Sequence, residues 1–158
     1  MENYVRSRRI TEIPEDLPEE LKKRRAGAFV SIHKQGQLRG CIGTIAPTQD
    51  SLAREIVWNA VSACSRDPRF DPIRPEELKW LEISVDVLGE PEDIASEEEL
   101  DVKRYGVIVS SGRRRGLLLP DLDGVDTPER QVDIARRKAG IGPNEKVKLQ
   151  RFEVVRHY

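Results

Sequence analysis

Gly27-Ala28-Phe29-Val30-Ser31-Ile32-His33-Lys34, then Gln35-Gly36, then Leu38-Arg39-Gly40-Cys41-Ile42-Gly43-Thr44-Ile45 reads as two strands joined at a Gln-Gly turn. Apolar residues alternate along the first run, and the second continues after a turn too short for anything but antiparallel pairing. Gly40 and Gly43 bracket Cys41 inside an apolar stretch that otherwise asks for bulky side chains. Glycine there gives up packing and raises the entropic cost of ordering the chain. The backbone beside Cys41 is therefore expected to be approached closely by another element or by a ligand.

Following the hairpin, Pro47 and Thr48 end the strand, and a helix starts with Thr48 or Asp50 as its N-cap. Leu52, Ile56, Val57, Ala60, Val61, Ala63 and Cys64 give it a broad apolar face, with Arg54, Glu55, Asn59 and Ser62 placed off it. Two prolines in Asp67-Pro68-Arg69-Phe70-Asp71-Pro72 then force an extended loop. A helical turn at Pro75-Glu76-Glu77-Leu78 leads into a half-buried strand on Leu81, Ile83, Val85 and Val87.

The acidic stretch from Pro91 to Asp101 contains a capping-box pattern at Ser96-Glu97-Glu98-Glu99. A second hairpin runs from Tyr105-Gly106-Val107-Ile108-Val109-Ser110 to Gly116-Leu117-Leu118-Leu119-Pro120, with Arg113-Arg114-Arg115 at its tip. Thr127, Pro128 and Gly140 frame another helix. Val147 and Leu149 share one parity and Phe152 and Val154 the other, so the last strand is expected to bulge near Gln150-Arg151. Before the first hairpin, Pro14 and Pro18 limit residues 1–25 to an extension with one or two short turns. The pattern as a whole is α+β: a mainly antiparallel sheet flanked by helices, in one domain over 26–158 with residues of about 90–120 as a smaller lobe.

At 158 residues, 35% charged and 5% aromatic, with a formal net charge of −1, the chain has no global field that would steer it to nucleic acid or membrane. No apolar run approaches the roughly 18 residues of a membrane span, and a cytoplasmic location is expected. The two cysteines read as free thiols. Without paired-ligand spacing around Cys41, Cys64, His33 and His157 no metal site is expected, and no cofactor is implied.

Cys41 is the candidate nucleophile, and Arg39 stands roughly 7 Å away along the strand. An arginine there suits a thiolate or an anionic ligand. The obvious base, His33, is disfavoured by register. A plain two-residue loop pairs Cys41 with Val30 and puts His33 on the opposite face. A bulge at Gly36 pairs Cys41 with Phe29 and leaves His33 roughly 13 Å away along the ladder. Asp67, Arg69 and Asp71 are either catalytic acids and ligand clamps or the groups that satisfy a loop unable to bond itself. Cys41 is either a reagent or a small residue that fits.

The segments Gly27-Ala28-Phe29-Val30, Leu38-Arg39-Gly40-Cys41-Ile42-Gly43, Asp67-Pro68-Arg69-Phe70, Pro75-Glu76-Glu77-Leu78 and Gly116-Leu117-Leu118-Leu119-Pro120 occur in an order and spacing that resembles the AMMECR1 domain family. The resemblance implies a larger and a smaller lobe, with the cysteine motif lining a cleft. It also implies kinship with the A component that accompanies Memo-like and radical-SAM proteins in microbes, which makes such proteins candidate partners. By the same match Arg39, Gly40, Cys41 and Gly43 are site candidates, with Asp67, Arg69 and Phe70 as a second group. The function expected is a cleft centred on Cys41 and Arg39 that binds an anionic small molecule or a partner segment, with or without cysteine chemistry. The alternative is a non-catalytic module for protein or nucleic acid in which the motif is structural.

Overall fold

A computed structural model describes residues 1–158, with the element order α1 (Glu2–Ser7), α2 (Glu19–Lys23), β1 (Ala28–Lys34), β2 (Gln37–Gly43), α3 (Leu52–Ser65), β3 (Leu81–Leu88), β4 (Glu92–Ile94), β5 (Gly106–Ser111), β6 (Arg114–Leu118), α4 (Pro128–Ala139), β7 (Lys148–Phe152) and β8 (Val154–His157). Short 3-10 helices at Pro75–Trp80 and Glu97–Glu99 complete it. The class is α+β, with two four-stranded sheets in the orders β2-β1-β3-β8 and β4-β7-β5-β6. No helix is long and apolar enough to cross a membrane.

The chain divides into two compact units, one of residues 1–88 and 155–158 and one of 89–154. In the first, α3 packs on β1 and β2. Ala28, Val30 and Ile32 face the helical side and are fully buried, joined by Val87 from β3. One apolar cluster gathers Val5, Ile32, Ala63, Cys64 and Ile73, and another gathers Ala26, Ala28, Leu52 and Val87. Residues 1–25 contribute through Val5 of α1 and Leu21 of α2.

The turn forms on Gln35 and Gly36, both at positive φ (52° and 78°), which is the backbone a two-residue hairpin turn requires. Lys34 pairs with Gln37 and His33 with Leu38, but Ile32 then pairs with Gly40 and Ser31 with Cys41. Arg39 is the extra residue of a β-bulge. Cys41 therefore opposes neither Val30 nor Phe29, and neither register expected from the sequence holds.

Two further expectations are corrected. Ser51, not Thr48 or Asp50, caps α3, its Oγ accepting from the Arg54 N–H at 3.3 Å. Thr48 is turned instead toward Glu55, which, with Asn59, is buried rather than off the core face.

In the second unit Val107, Val109, Leu118, Val132, Ala135 and Leu149 form the core against α4. Thr127 caps α4 and Gly140 ends it in the left-handed region, as the sequence indicates. The expected bulge at Gln150-Arg151 is absent, because β5 and β7 pair continuously from Gly106↔Phe152 to Ser110↔Lys148. The parity change has another origin. Leu149 lies with Val107 and Val109 on the α4 side, whereas Phe152 lies with Ile108 on the other, and both faces are buried. The strand then breaks at Glu153, so that β7 and β8 join different sheets.

Candidate functional site

Gly40 is explained by its surroundings. A Cβ on Gly40 would lie 2.4 Å from the Ala63 carbonyl oxygen, so the missing side chain lets α3 close directly on β2. At Gly43 a Cβ would fall inside the Phe29 ring, 2.2 Å from Cγ. The two glycines serve opposite faces of the same strand.

β2 is an edge strand, and its outward backbone at Cys41 is capped by the proline-rich loop. The Cys41 N–H donates to Asp67 Oδ2 at 2.9 Å, and Arg69 Nη2 donates to the Cys41 carbonyl at 3.1 Å. Asp67 and Arg69 also form a two-pronged pair, Nε to Oδ1 at 3.0 Å and Nη2 to Oδ2 at 2.8 Å. Together they imitate a neighbouring strand over one residue and close an edge that would otherwise pair with another chain. The Asp67 carboxylate is 2% exposed. It is held at about 2, first by the Arg69 guanidinium and further by the Cys41 N–H, against the opposing effect of burial. Phe70 is half-buried, with the Arg69 guanidinium 5.4 Å from its ring centre.

Arg39, put out of register by the bulge, turns to the 3-10 helix. Its Nε and Nη2 donate to Glu77 Oε1 and Oε2, both at 3.0 Å, and Nη1 donates to the Asp71 carbonyl at 2.8 Å. Lys34 Nζ adds a bond to Glu77 Oε1 and the Arg74 N–H one to Oε2, each at 3.0 Å. The Arg39 guanidinium, aided by Arg74 N–H and Lys34, overcomes burial and holds Glu77 at about 2. Three of the expected site residues, Arg39, Asp67 and Arg69, are thus paired with groups of the chain itself.

On the side chain of Cys41 the picture differs. With its N–H and C=O pointing outward, Cys41 forms a non-hydrogen-bonded pair with Ser31, the geometry in which facing side chains stand closest. The Ser31 hydroxyl donates to Sγ at 3.3 Å. Across β2, β1 and β3 the rows on this face read Gly43-Phe29-Asp86, Cys41-Ser31-Ser84 and Leu38-His33-Glu82. His33 has returned to the face of Cys41. It is the diagonal neighbour across the Ser31–Cys41 pair, a relation that in a regular antiparallel ladder spans about 7–8 Å and somewhat less between Cβ atoms. Asp86, 2% exposed, takes a two-pronged bond from Arg156 at 2.7 and 3.2 Å. The helices of this unit pack on the opposite face, and this one carries the sulfur of Cys41, the imidazole of His33 and the Glu82 carboxylate beside the buried Ser31 and Asp86.

The sequence reading missed a further buried carboxylate. Glu55, 1% exposed, accepts from Thr44 Oγ1 at 2.6 Å and from Thr48 Oγ1, Thr48 N–H and Gln49 N–H at 2.8 Å. Burial raises its pKa, but these bonds outweigh it and leave the group below its ordinary value. Asn59 donates to Thr44 Oγ1 and to the Ala28 carbonyl, locking the end of β2 to β1. The threonine pair Thr44 and Thr48, flanking a proline and facing one helix turn, was the available signal. Glu77 and Ser31 were missed because each fits its local element without further explanation.

Comparison with known proteins places these features in a wider group. The family described as AMMECR1 matches residues 1–157. A protein of Thermotoga maritima is 54% identical, covering 99% of this chain and 91% of its own length. One of Clostridium acetobutylicum is 51% identical over 94% of this chain, which spans only 31% of that protein. Among solved structures, an uncharacterized protein of Pyrococcus horikoshii superimposes with a TM-score of 0.91 at 31% identity, covering 98% of this chain and 83% of its own.

Proposed function

This chain belongs to the AMMECR1 family, and on that premise we propose that it is a binding protein whose recognition surface is the sheet face carrying Cys41, Ser31 and His33. The occupant is a small polar molecule or an extended segment of a partner, with the Cys41 thiol and His33 imidazole as contacts. Arg39, Asp67 and Arg69 form the frame that holds β2 and its bulge in place. They do not supply the free positive charge that an anion site needs.

One observation carries this reading: Arg39, Asp67 and Arg69 are each paired internally, whereas the row Cys41-Ser31-Ser84 and its neighbour His33 make a polar patch on the face away from α3. A face built only for stability is expected to be apolar when half-buried. With the bulge, Cys41 and His33 share one face, so cysteine-dependent chemistry fits the same surface. Its first step is transfer of the Sγ proton to the imidazole.

Reaction of the full chain with a chromogenic disulfide reagent, compared among wild type, Cys41→Ser and Cys64→Ser, tests this. Cys64 is 2% exposed and burial pushes its thiol up, so it serves as the internal slow standard. Cys41 is expected to react much faster than Cys64, with a pH profile that His33→Gln alters. Equal, slow reaction of the two thiols would remove the recognition surface and leave the motif purely structural, in favour of a module that works through its charged tips.

A further inference from the structure

Away from the Cys41 face, α1 and the segment leading into the 3-10 helix border an open surface cavity of about 400 Å³. Its floor is Val5 and Ile73, which are 6% and 4% exposed, and Pro72 and Pro75 give it apolar walls. Arg8 and Arg74 bring two cations to it. Arg8 lies over the Tyr4 ring at 5.4 Å, and Arg74 engages Glu77 through its backbone, its N–H donating to the carboxylate and its carbonyl accepting from the Glu77 N–H. Neither guanidinium has a carboxylate partner.

That sets them apart from the arginines of the same unit that border the sheet. Arg39 is matched by Glu77, Arg69 by Asp67 and Arg156 by Asp86. The one acidic side chain of the cavity wall, Asp71, is exposed and in no ion pair, and its backbone carbonyl is the group held by Arg39. The charge of Arg8 is also felt below, where it works against the rise that burial imposes on the Cys64 thiol. Two uncompensated guanidiniums above an apolar floor match a ligand with an anionic head and a hydrocarbon body.

We propose that this cavity binds a small carboxylate carried on an apolar chain, with Arg8 and Arg74 on the carboxylate and Val5 and Ile73 against the chain. The site is separate from the Cys41 face and stands or falls independently of it.

The probe is octanoate, titrated into the isotope-labelled full chain and followed by backbone amide NMR, with octanamide as the neutral match. Octanoate is expected to move the amides of Val5, Arg8, Ile73 and Arg74 in a saturable way, and octanamide to bind more weakly. Arg8→Gln and Arg74→Gln each replace an exposed side chain, and each is expected to weaken octanoate about tenfold, equal to about 1.4 kcal/mol, without changing the melting temperature. Asp71→Asn, which removes a like charge, is expected to tighten binding. Absence of saturable shifts, equal response to octanamide, or weaker octanoate binding by Asp71→Asn would each overturn the assignment.

Discussion

Glu77→Gln measures how far the bulged hairpin depends on one carboxylate. Glu77 accepts four hydrogen bonds, two from Arg39, one from Lys34 and one from the Arg74 backbone. Its pKa is about 2 in the fold against 4.5 ordinarily, a depression of 4.5 − 2 = 2.5. At about 1.36 kcal/mol per unit this corresponds to roughly 3.4 kcal/mol. The Lys34 side chain is 35% exposed and those of Glu77 and Arg39 only 16% and 17%. Screening of the outer cation reduces the expected effect to about 2 kcal/mol.

Because the folded pKa lies below the unfolded one, the stabilisation is complete above about pH 5 and is lost as the pH falls toward 2. Glu77→Gln should therefore lower stability by about 2 kcal/mol at pH 7 and by almost nothing at pH 2. Urea denaturation followed by tryptophan fluorescence is the natural assay, since both tryptophans, Trp58 and Trp80, lie in the unit that contains the hairpin. Asp67 titrates in an overlapping range, with a pKa also held at about 2. Its contribution is common to both proteins and cancels in the difference between their curves. A difference that stays constant from pH 7 to pH 2 would refute the ionic role of Glu77 and leave only a packing effect.

Gly40→Ala places a methyl group 2.4 Å from the Ala63 carbonyl oxygen, against backbone that cannot swing aside. A loss of about 1–3 kcal/mol is expected, read as a lower urea midpoint, and an unchanged midpoint would show that α3 is free to retreat. Glu55→Ala strands two backbone N–H groups and two threonine hydroxyls around an emptied site. At least about 3 kcal/mol should be lost, equal to about 6–12 °C in melting temperature for a chain of this size, and a drop under about 2 °C would mean that the loop rebuilds its bonds at little cost.

The elements of the fold were legible where a local rule sufficed. Gln35-Gly36 demanded a tight turn, Thr127, Pro128 and Gly140 delimited α4, and Gly40 signalled close approach. What escaped was decided by pairs remote in sequence. Glu55 reads as a solvated helix residue until Thr44 and Thr48 fold over it, and Glu77 as one residue of a short helical turn until Arg39 arrives from 38 residues away.

The bulge is the instructive case. Nothing in Leu38-Arg39-Gly40 announces an extra residue, since the usual marker, a glycine in the left-handed region, is absent: Gly40 has no positive φ. The bulge forms because two distant demands meet on consecutive residues. Gly40 must face Ala63, and Arg39 must reach Glu77 and the Asp71 carbonyl. A regular strand alternates faces strictly, so adding one residue changes the parity of everything beyond it. That single insertion takes Cys41 from Val30 to Ser31 and restores His33 to its side. The groups paired within the chain are thus the ones that determine which residues stand together on the face proposed to bind.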